Sequence, residues 1–302
     1  MGSVYVRQPN MTLRHLPLLL LSLTTSSSAW ACATCGAGDP SISVVGSEKP
    51  TAGTVRFTVE ASYRYAASAA AQGGVWLSDR LALTPGVAWT ADRRVVLTAT
   101  IPLVMASQRT PNLAWGRGYG LGDSTLGARV VALRKDGAFD HLGGVSVGLE
   151  LPTGVRVKQD GLPTGEHTQP GTGAWSPSVG LWYGGYSSFA SVFASVTGRY
   201  TSPGWDARRP GSGVLATVST QIQPIPEVAP RVSVDGRWLD ADRMDGMPMP
   251  GTAGWLLQLT PGVAFSPGRG VVLTLAVGIP VLQVGYEDRE GLSPRLGVSV
   301  EL

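Results

Sequence analysis

Cys32 and Cys35 are the only thiols in the chain, and Ala33-Thr34 between them gives a C-x-x-C spacing. That spacing serves several chemistries, each with its own further demands. Covalent haem attachment needs a His directly after the second Cys, and Gly36 stands there. A thiolate metal site needs two more ligands, and none lies nearby in the sequence. A redox dithiol normally opens a helix, and the Gly36-Ala37-Gly38-Asp39-Pro40 that follows carries no helical pattern. In an oxidising compartment a local disulfide is the simplest fate. A soft-metal pair and a lipid anchor on Cys32 are the alternatives.

Met244, Met247 and Met249 share a segment with Asp240, Asp242 and Asp245. Thioethers favour Cu(I) and carboxylates favour hard cations, so the mixture suits neither well and reads as a solvated, proline-containing loop. Hydrolytic chemistry needs a nucleophile beside a base. Beyond residue 31 the only histidines are His141 and His167, and neither falls beside a serine on a regular segment. No enzyme activity and no cofactor are expected.

The remaining chemistry-bearing residues are charged side chains that recur on one face of alternating segments: Arg56, Glu60, Arg64, Arg129, Glu150, Arg199, Arg231, Asp235, Arg237, Arg295 and Glu301. Such a face is either the charged lining of a pore or a salt-bridge network filling a narrow barrel. Its arginines outnumber its acids, so an open lumen would favour anions, and exchanging Arg56 and Arg237 for Glu would shift it toward cations.

The elements that carry these residues have a period of two. From Thr54 to Tyr65, Val55, Phe57, Val59, Ala61, Tyr63 and Tyr65 share one face, and Thr54, Arg56, Thr58, Glu60, Ser62 and Arg64 the other. Val232, Val234, Gly236 and Trp238 oppose Arg231, Ser233, Asp235 and Arg237 in the same way, as Leu296, Val298, Val300 and Leu302 oppose Arg295, Gly297, Ser299 and Glu301. Segments of this kind fall near 54–65, 80–90, 95–107, 121–134, 142–152, 174–185, 189–201, 213–223, 230–239, 254–265, 271–284 and 294–302, about twelve in all. Each is close to the roughly 9–11 residues with which a tilted strand crosses a bilayer. An even number suits an antiparallel barrel closed on itself. The connections run long, short, long, short: 66–79 is long, 91–94 tight, 153–173 the longest and 186–188 minimal. Outer-membrane barrels have long external loops and short periplasmic turns, so both termini are expected in the periplasm.

Composition agrees. Charged residues are 15% and hydrophobic residues 43%, with 40 Gly and 22 Pro, so the apolar character is dispersed rather than gathered into a spanning helix. Arg14 and His15 precede the apolar run Leu16–Leu23, and Ala29-Trp30-Ala31 offers a small-residue cleavage pattern before Cys32. This is a secretory signal. Residues 1–31 are the leader, 32–53 a periplasmic segment with the cysteines, and 54–302 the barrel. Losing Arg7 and Arg14 with the leader takes the net charge from +3 to +1, which leaves no basic face for nucleic acid. The expected partners are the lipid bilayer, lipopolysaccharide, the barrel-assembly machinery and a small solute.

One hairpin is echoed: Leu83–Trp89 (LTPGVAW) by Leu259–Phe265 (LTPGVAF), with Ile101-Pro102 recurring as Ile279-Pro280. Proline removes a ladder hydrogen bond, so bulges are expected at Pro85, Pro102, Pro261 and Pro280. Trp89, Trp182, Trp238 and Trp255 are expected in membrane-interface girdles, with stacking of an aromatic solute as the alternative.

Gly120-Leu121-Gly122-Asp123 leading into STLGARVVAL, then VGLELPTG at 147–154 and GTGAWSPSVGLWY at 171–183, together resemble a family of outer-membrane transporter barrels grouped with MetA-pathway phenol-degradation proteins. The pieces cover about a quarter of the chain, in the family's order. The resemblance implies a barrel of about twelve strands that transports hydrophobic or aromatic compounds. The chain departs from it in ending on Leu302, where such barrels commonly end in an aromatic residue. A channel for small solutes is thus the leading expectation, with a plugged structural or assembly barrel, and then a barrel hydrolase, behind it.

Overall fold

The structure is a computed structural model that describes residues 49–69, 75–109, 115–159, 162–163, 166–268 and 270–302. The expected leader, residues 1–31, and both cysteines lie outside the described residues. No described helix is long and apolar enough to cross a membrane.

Twelve strands form one closed antiparallel sheet: β1 (Val55–Ala69), β2 (Val75–Thr90), β3 (Val95–Thr100 and Leu103–Arg109), β4 (Trp115–Leu121 and Ser124–Lys135), β5 (Asp140–Leu151), β6 (Ser176–Tyr186), β7 (Ala190–Arg199), β8 (Gly213–Ile222), β9 (Val228–Leu239), β10 (Gly254–Gly268), β11 (Val271–Val284) and β12 (Ser293–Glu301). Each pairs with its sequence neighbours, and β1 pairs with β12 from Arg56↔Glu301 to Ser62↔Arg295. At that seam the Leu302 N–H donates to the Val55 carbonyl at 2.9 Å, and the Val55 N–H donates back at 3.3 Å. Both ends of the barrel chain therefore lie on one rim, the rim of the short turns. Closure leaves no free edge, which is the only way a sheet can satisfy its backbone in lipid.

The period-two pattern sets the two faces. Phe57, Val59, Leu81, Leu83, Val179, Leu181, Leu275, Leu296 and Val298 are exposed on the outer surface. Thr58, Thr217, Ser219, Ser233, Thr260 and Ser299 are buried on the inner one. Outer aromatics gather toward the two rims: Phe57, Trp89, Tyr183, Phe189 and Phe265 at the short-turn end, and Trp115, Tyr119, Trp175, Tyr200, Trp238 and Trp255 at the long-loop end. Trp238 and Trp255 are cross-strand partners with ring centroids 6.2 Å apart. Burial of greasy side chains is thus inverted relative to a water-soluble fold, as a lipid-facing wall requires.

Three expectations need correction. The connections at 66–79 and 108–120 are much shorter than their sequence implied, because β1 runs to Ala69, β2 starts at Val75, β3 reaches Arg109 and β4 begins at Trp115. Those stretches (AASA, VWLSD, QR, WGRGYG) mix small, polar and apolar residues without the apolar–polar alternation that marks the neighbouring strands, so the hydrogen-bonded hairpins continue there without that signal. Of the four prolines, Pro85 and Pro261 sit in unbroken register opposite Val59 and Val232. Pro102 lies in the gap between the halves of β3, and Pro280 beside a register shift against Gln258. Trp182 is no girdle residue: it points inward and is 4% exposed. Its neighbours explain the miss. Leu181 and Tyr183 are both large and outward, so the run Leu181-Trp182-Tyr183 is locally apolar throughout and residue type there does not show which face the indole takes.

Candidate functional site

The interior is built in three levels. At the long-loop rim the connection between β5 and β6 turns back into the barrel and packs on the inner face of β4, where Gly116, Gly118, Gly120 and Gly122 recur every second residue. Only glycine fits there: a Cβ on Gly118 would sit 1.9 Å from the Thr168 carbonyl oxygen. Asp123, at the interruption of β4, holds both stems of this inward loop. It accepts from Gly154 N–H at 2.9 Å, Thr172 N–H at 2.6 Å and Thr172 Oγ1 at 2.7 Å. Arg80 of β2 holds it from the other side, donating to the carbonyls of Gln169 at 3.1 Å and Pro170 at 2.8 Å. Gly173 completes the turn with φ +69° and lies flat against the Trp205 indole, where a side chain would collide. A cavity of about 520 Å³ opens beside the loop, with Arg64, Arg80, His167, Trp205 and Glu290 among its walls.

The middle level is a polar belt. Asp235 accepts from Thr217 Oγ1 at 3.0 Å, Ser233 Oγ at 3.0 Å and Thr260 Oγ1 at 2.8 Å. Arg199 lies 3.9 Å from Glu150. Arg237 pairs with Glu290, which reaches in from the connection before β12. Glu60 and Asp235 stand in the field of Arg231, as does Arg295. Gln258 Nε2 donates to Ser293 Oγ at 2.7 Å.

The lowest level combines a charge pair and an apolar cluster. Arg56 pairs with Glu301 across the seam. On the opposite wall, Trp182 and Phe193 stack with centroids 6.5 Å apart and planes 14° from parallel. Val131, Leu142 and Tyr186 complete the cluster. The Arg129 guanidinium lies 4.5 Å above the Trp182 ring and 5.9 Å from Phe193, a cation–π geometry sheltered from water.

The register therefore places Arg56, Glu60, Arg64, Arg129, Glu150, Arg199, Arg231, Asp235, Arg237, Arg295 and Glu301 on the inner face. Arg80, Asp123 and Glu290 belong with them and were not singled out in the sequence. Arg80 opens a segment whose alternation starts there, Asp123 sits in a strand gap, and Glu290 lies in a connection, so none had a neighbouring pattern to give it a side. Arg56 and Arg237 both have carboxylate partners, so reversing their charge would bring like charges together inside the barrel. Arg64 and Arg295 carry no ion pair within 4 Å among the described residues.

Several candidates have settled places elsewhere. His141 bonds Tyr183 Oη at 2.6 Å near the short-turn rim, and His167 lies 3.9 Å from Asp288 in the cavity wall. The methionine segment forms a small hairpin, Met244↔Met247, turned by Asp245 (φ 50°) and Gly246 (φ 81°). Its Asp242 is tied to Arg208 at 2.5 Å and to the Gly211 N–H at 2.7 Å. Among the described residues no group of three or more His, Cys, Asp or Glu side chains converges as a metal site.

Among solved structures, an outer membrane channel from Pseudomonas putida F1 superposes with a TM-score of 0.67 over 83% of this chain and 96% of that one, at 16% identity. The fold is that of an outer-membrane β-barrel. The translocator domain of the autotransporter NalP from Neisseria meningitidis gives a TM-score of 0.46 at 11% identity, over 83% of this chain and 88% of that one. The CymD monoaromatic hydrocarbon channel gives 0.41 at 9% identity, also over 83% and 88%. No family model and no curated protein matches the chain.

Proposed function

We propose that this chain is an outer-membrane channel for small solutes with a preference for anions. The observation that carries this reading is the charge of the inner face. Arg56, Arg64, Arg80, Arg129, Arg199, Arg231, Arg237 and Arg295 face Glu60, Asp123, Glu150, Asp235, Glu290 and Glu301, leaving arginine in excess inside low-dielectric walls. Such walls focus the field of the excess sign. The apolar outer band and its aromatic rims support the membrane setting, with lipopolysaccharide around the long-loop rim and the barrel-assembly machinery as the insertion partner. Residues 1–31 act as the export leader, and Cys32 and Cys35 form a local disulfide in the periplasmic segment. The resemblance to MetA-pathway phenol-degradation barrels extends the reading to aromatic or phenolic solutes.

Conductance in planar bilayers tests the reading. The wild-type protein should form discrete steps in KCl, and a KCl gradient should give a reversal potential of anion-preferring sign. An absence of steps would favour a plugged structural barrel, which the inward loop and the aromatic cluster would then explain as its filling. A cation-preferring potential would sink the charge argument while keeping the channel.

Sidedness is tested separately. With the long loops outside, a Met247→Cys variant should react with a membrane-impermeant maleimide on intact cells, since that side chain is 71% exposed. Phe189→Cys, at a short turn and 66% exposed, should react only after lysis. The reverse labelling pattern would invert the topology.

A further inference from the structure

Arg64 of β1 and Arg80 of β2 are direct cross-strand partners on the inner face. Like charges placed opposite one another in an antiparallel pair repel and destabilise the sheet. Neither residue has a carboxylate within 4 Å among the described residues. Arg80 gives two of its N–H groups to loop carbonyls, which are neutral, and the acids Asp123 and Glu150 act on it only from beyond contact distance. Arg64 stands in the field of Arg237 and Arg295 as well as Arg80, and its only nearby acid, Glu290, is bonded to Arg237.

Both arginines face the 520 Å³ cavity at the long-loop rim. Its other arginine and glutamate charges are paired: Arg156 with Asp206, Arg208 with Asp242, and Glu290 with Arg237. Asp79 is held by Tyr63 Oη and, at 3.2 Å, by Ser107 Oγ. Arg64 and Arg80 are the two cavity-wall arginines that have no carboxylate within 4 Å among the described residues. Their repulsion is a standing cost, and an oxyanion between the guanidinium groups would remove it, since arginine's planar fork suits a carboxylate in two-point contact. The Trp205 indole supplies a flat apolar wall in the same cavity, and the volume lies in the range of small-ligand sites.

We propose that Arg64 and Arg80 form a binding subsite for a small organic carboxylate, aromatic in its preferred form, at the outer mouth of the barrel. The subsite deepens the channel reading and rests on it for its purpose, though binding can be measured without conduction. The carboxylate lies between the two guanidinium groups and the ring against Trp205. Arg64 is the primary probe, because it makes no contact that holds the inward loop.

The test is calorimetric titration of the folded, detergent-solubilised protein with sodium benzoate, and with benzyl alcohol as the neutral ring. Benzoate should bind saturably and about tenfold or more tightly than benzyl alcohol, the increment expected of charge-assisted hydrogen bonds. Arg64→Gln should abolish that advantage, and Arg64→Lys should keep part of it. Equal binding of the two compounds, or a benzoate affinity that Arg64→Gln leaves unchanged, would overturn the subsite. If Arg64→Gln does not fold, judged by the heat-dependent shift of barrels in gel electrophoresis, the wild-type comparison of the two compounds decides alone. Conductance in KCl, measured in parallel, separates the two readings. Steps without benzoate binding remove the subsite and leave the channel, whereas binding without steps keeps the subsite and removes the channel.

Discussion

Asp123→Ala should free the inward loop, exposing it to protease and raising single-channel conductance several-fold. The carboxylate accepts two backbone N–H groups and one hydroxyl, and it joins the two stems of the loop, Gly154 and Thr172, to the wall of β4. Hydrogen bonds to a charged group contribute about 1.5–3 kcal/mol each. Even half of that sum, about 3 kcal/mol, multiplies the population of a detached loop by about two orders of magnitude. Arg80 keeps its grip on Gln169 and Pro170, so detachment begins at the stems. Thr172→Val, which removes only the hydroxyl, should give a smaller change in the same direction. Limited proteolysis of liposome-embedded protein reads the loop, and bilayer recording reads the opening. Identical cleavage and identical conductance in wild type and Asp123→Ala would show that the loop is held by its packing against the β4 glycines alone.

Gly144→Ala should prevent the barrel from closing. Gly144 faces the register shift in β4 between Val131 and Leu133. A Cβ there would stand 1.8 Å from the Val130 carbonyl oxygen, 2.9 Å from its carbon and 3.1 Å from the Ala132 nitrogen. All three are backbone atoms within a hydrogen-bonded ladder, so no side-chain rotation relieves the overlap. The bulge must flatten, which shifts one strand by a residue and turns its lipid-facing and inward side chains around. Gly137→Ala is the control, since its Cβ meets nothing closer than 3.7 Å. Heat-modified mobility and protection from protease should be lost in the first variant and kept in the second. A folded Gly144→Ala barrel would mean that the bulge tolerates more movement than its geometry implies.

The strand count was legible because a lipid-facing wall imposes the strictest alternation a sheet can have: Phe57 and Val59 on one side, Arg56 and Thr58 on the other, with no core helix to confuse the period. Facing followed from the same signal, which is why the charged residues of well-patterned strands were assignable from sequence. Three things were not. Strand extensions such as Ala66–Ala69 and Trp115–Leu121 lack the usual apolar–polar signal, the first because it is nearly all alanine and the second because glycine fills its inward positions while Trp115 and Tyr119 stand outward. Trp182 and Phe193 are large apolar residues on inner faces made largely of serine, threonine and glycine, so residue type alone pointed each of them toward the lipid rather than to an inner stack. The arrangement of the inward loop depends on contacts across 30 to 90 positions, Asp123 to Gly154 and Arg80 to Gln169, and no local pattern encodes them. Glycine spacing at 116, 118, 120 and 122 was the available clue: a strand that repeatedly withholds its side chains from one face is making room for another backbone.

The seam between β1 and β12 has a consequence for how the molecule is made. Among the twelve barrel strands every other pairing joins neighbours in sequence and can form as a hairpin, but this one joins residues 245 positions apart, Arg56 to Glu301. Until the last strand arrives, the sheet has two bare margins and nowhere in the membrane to put them. A chain halted before Ser293 would be a sticky ribbon rather than a smaller pore. The Arg56–Glu301 ion pair and the reciprocal Val55–Leu302 hydrogen bonds are thus the fastening that certifies a finished wall, and damage there would register as failed biogenesis before it registered as altered permeation.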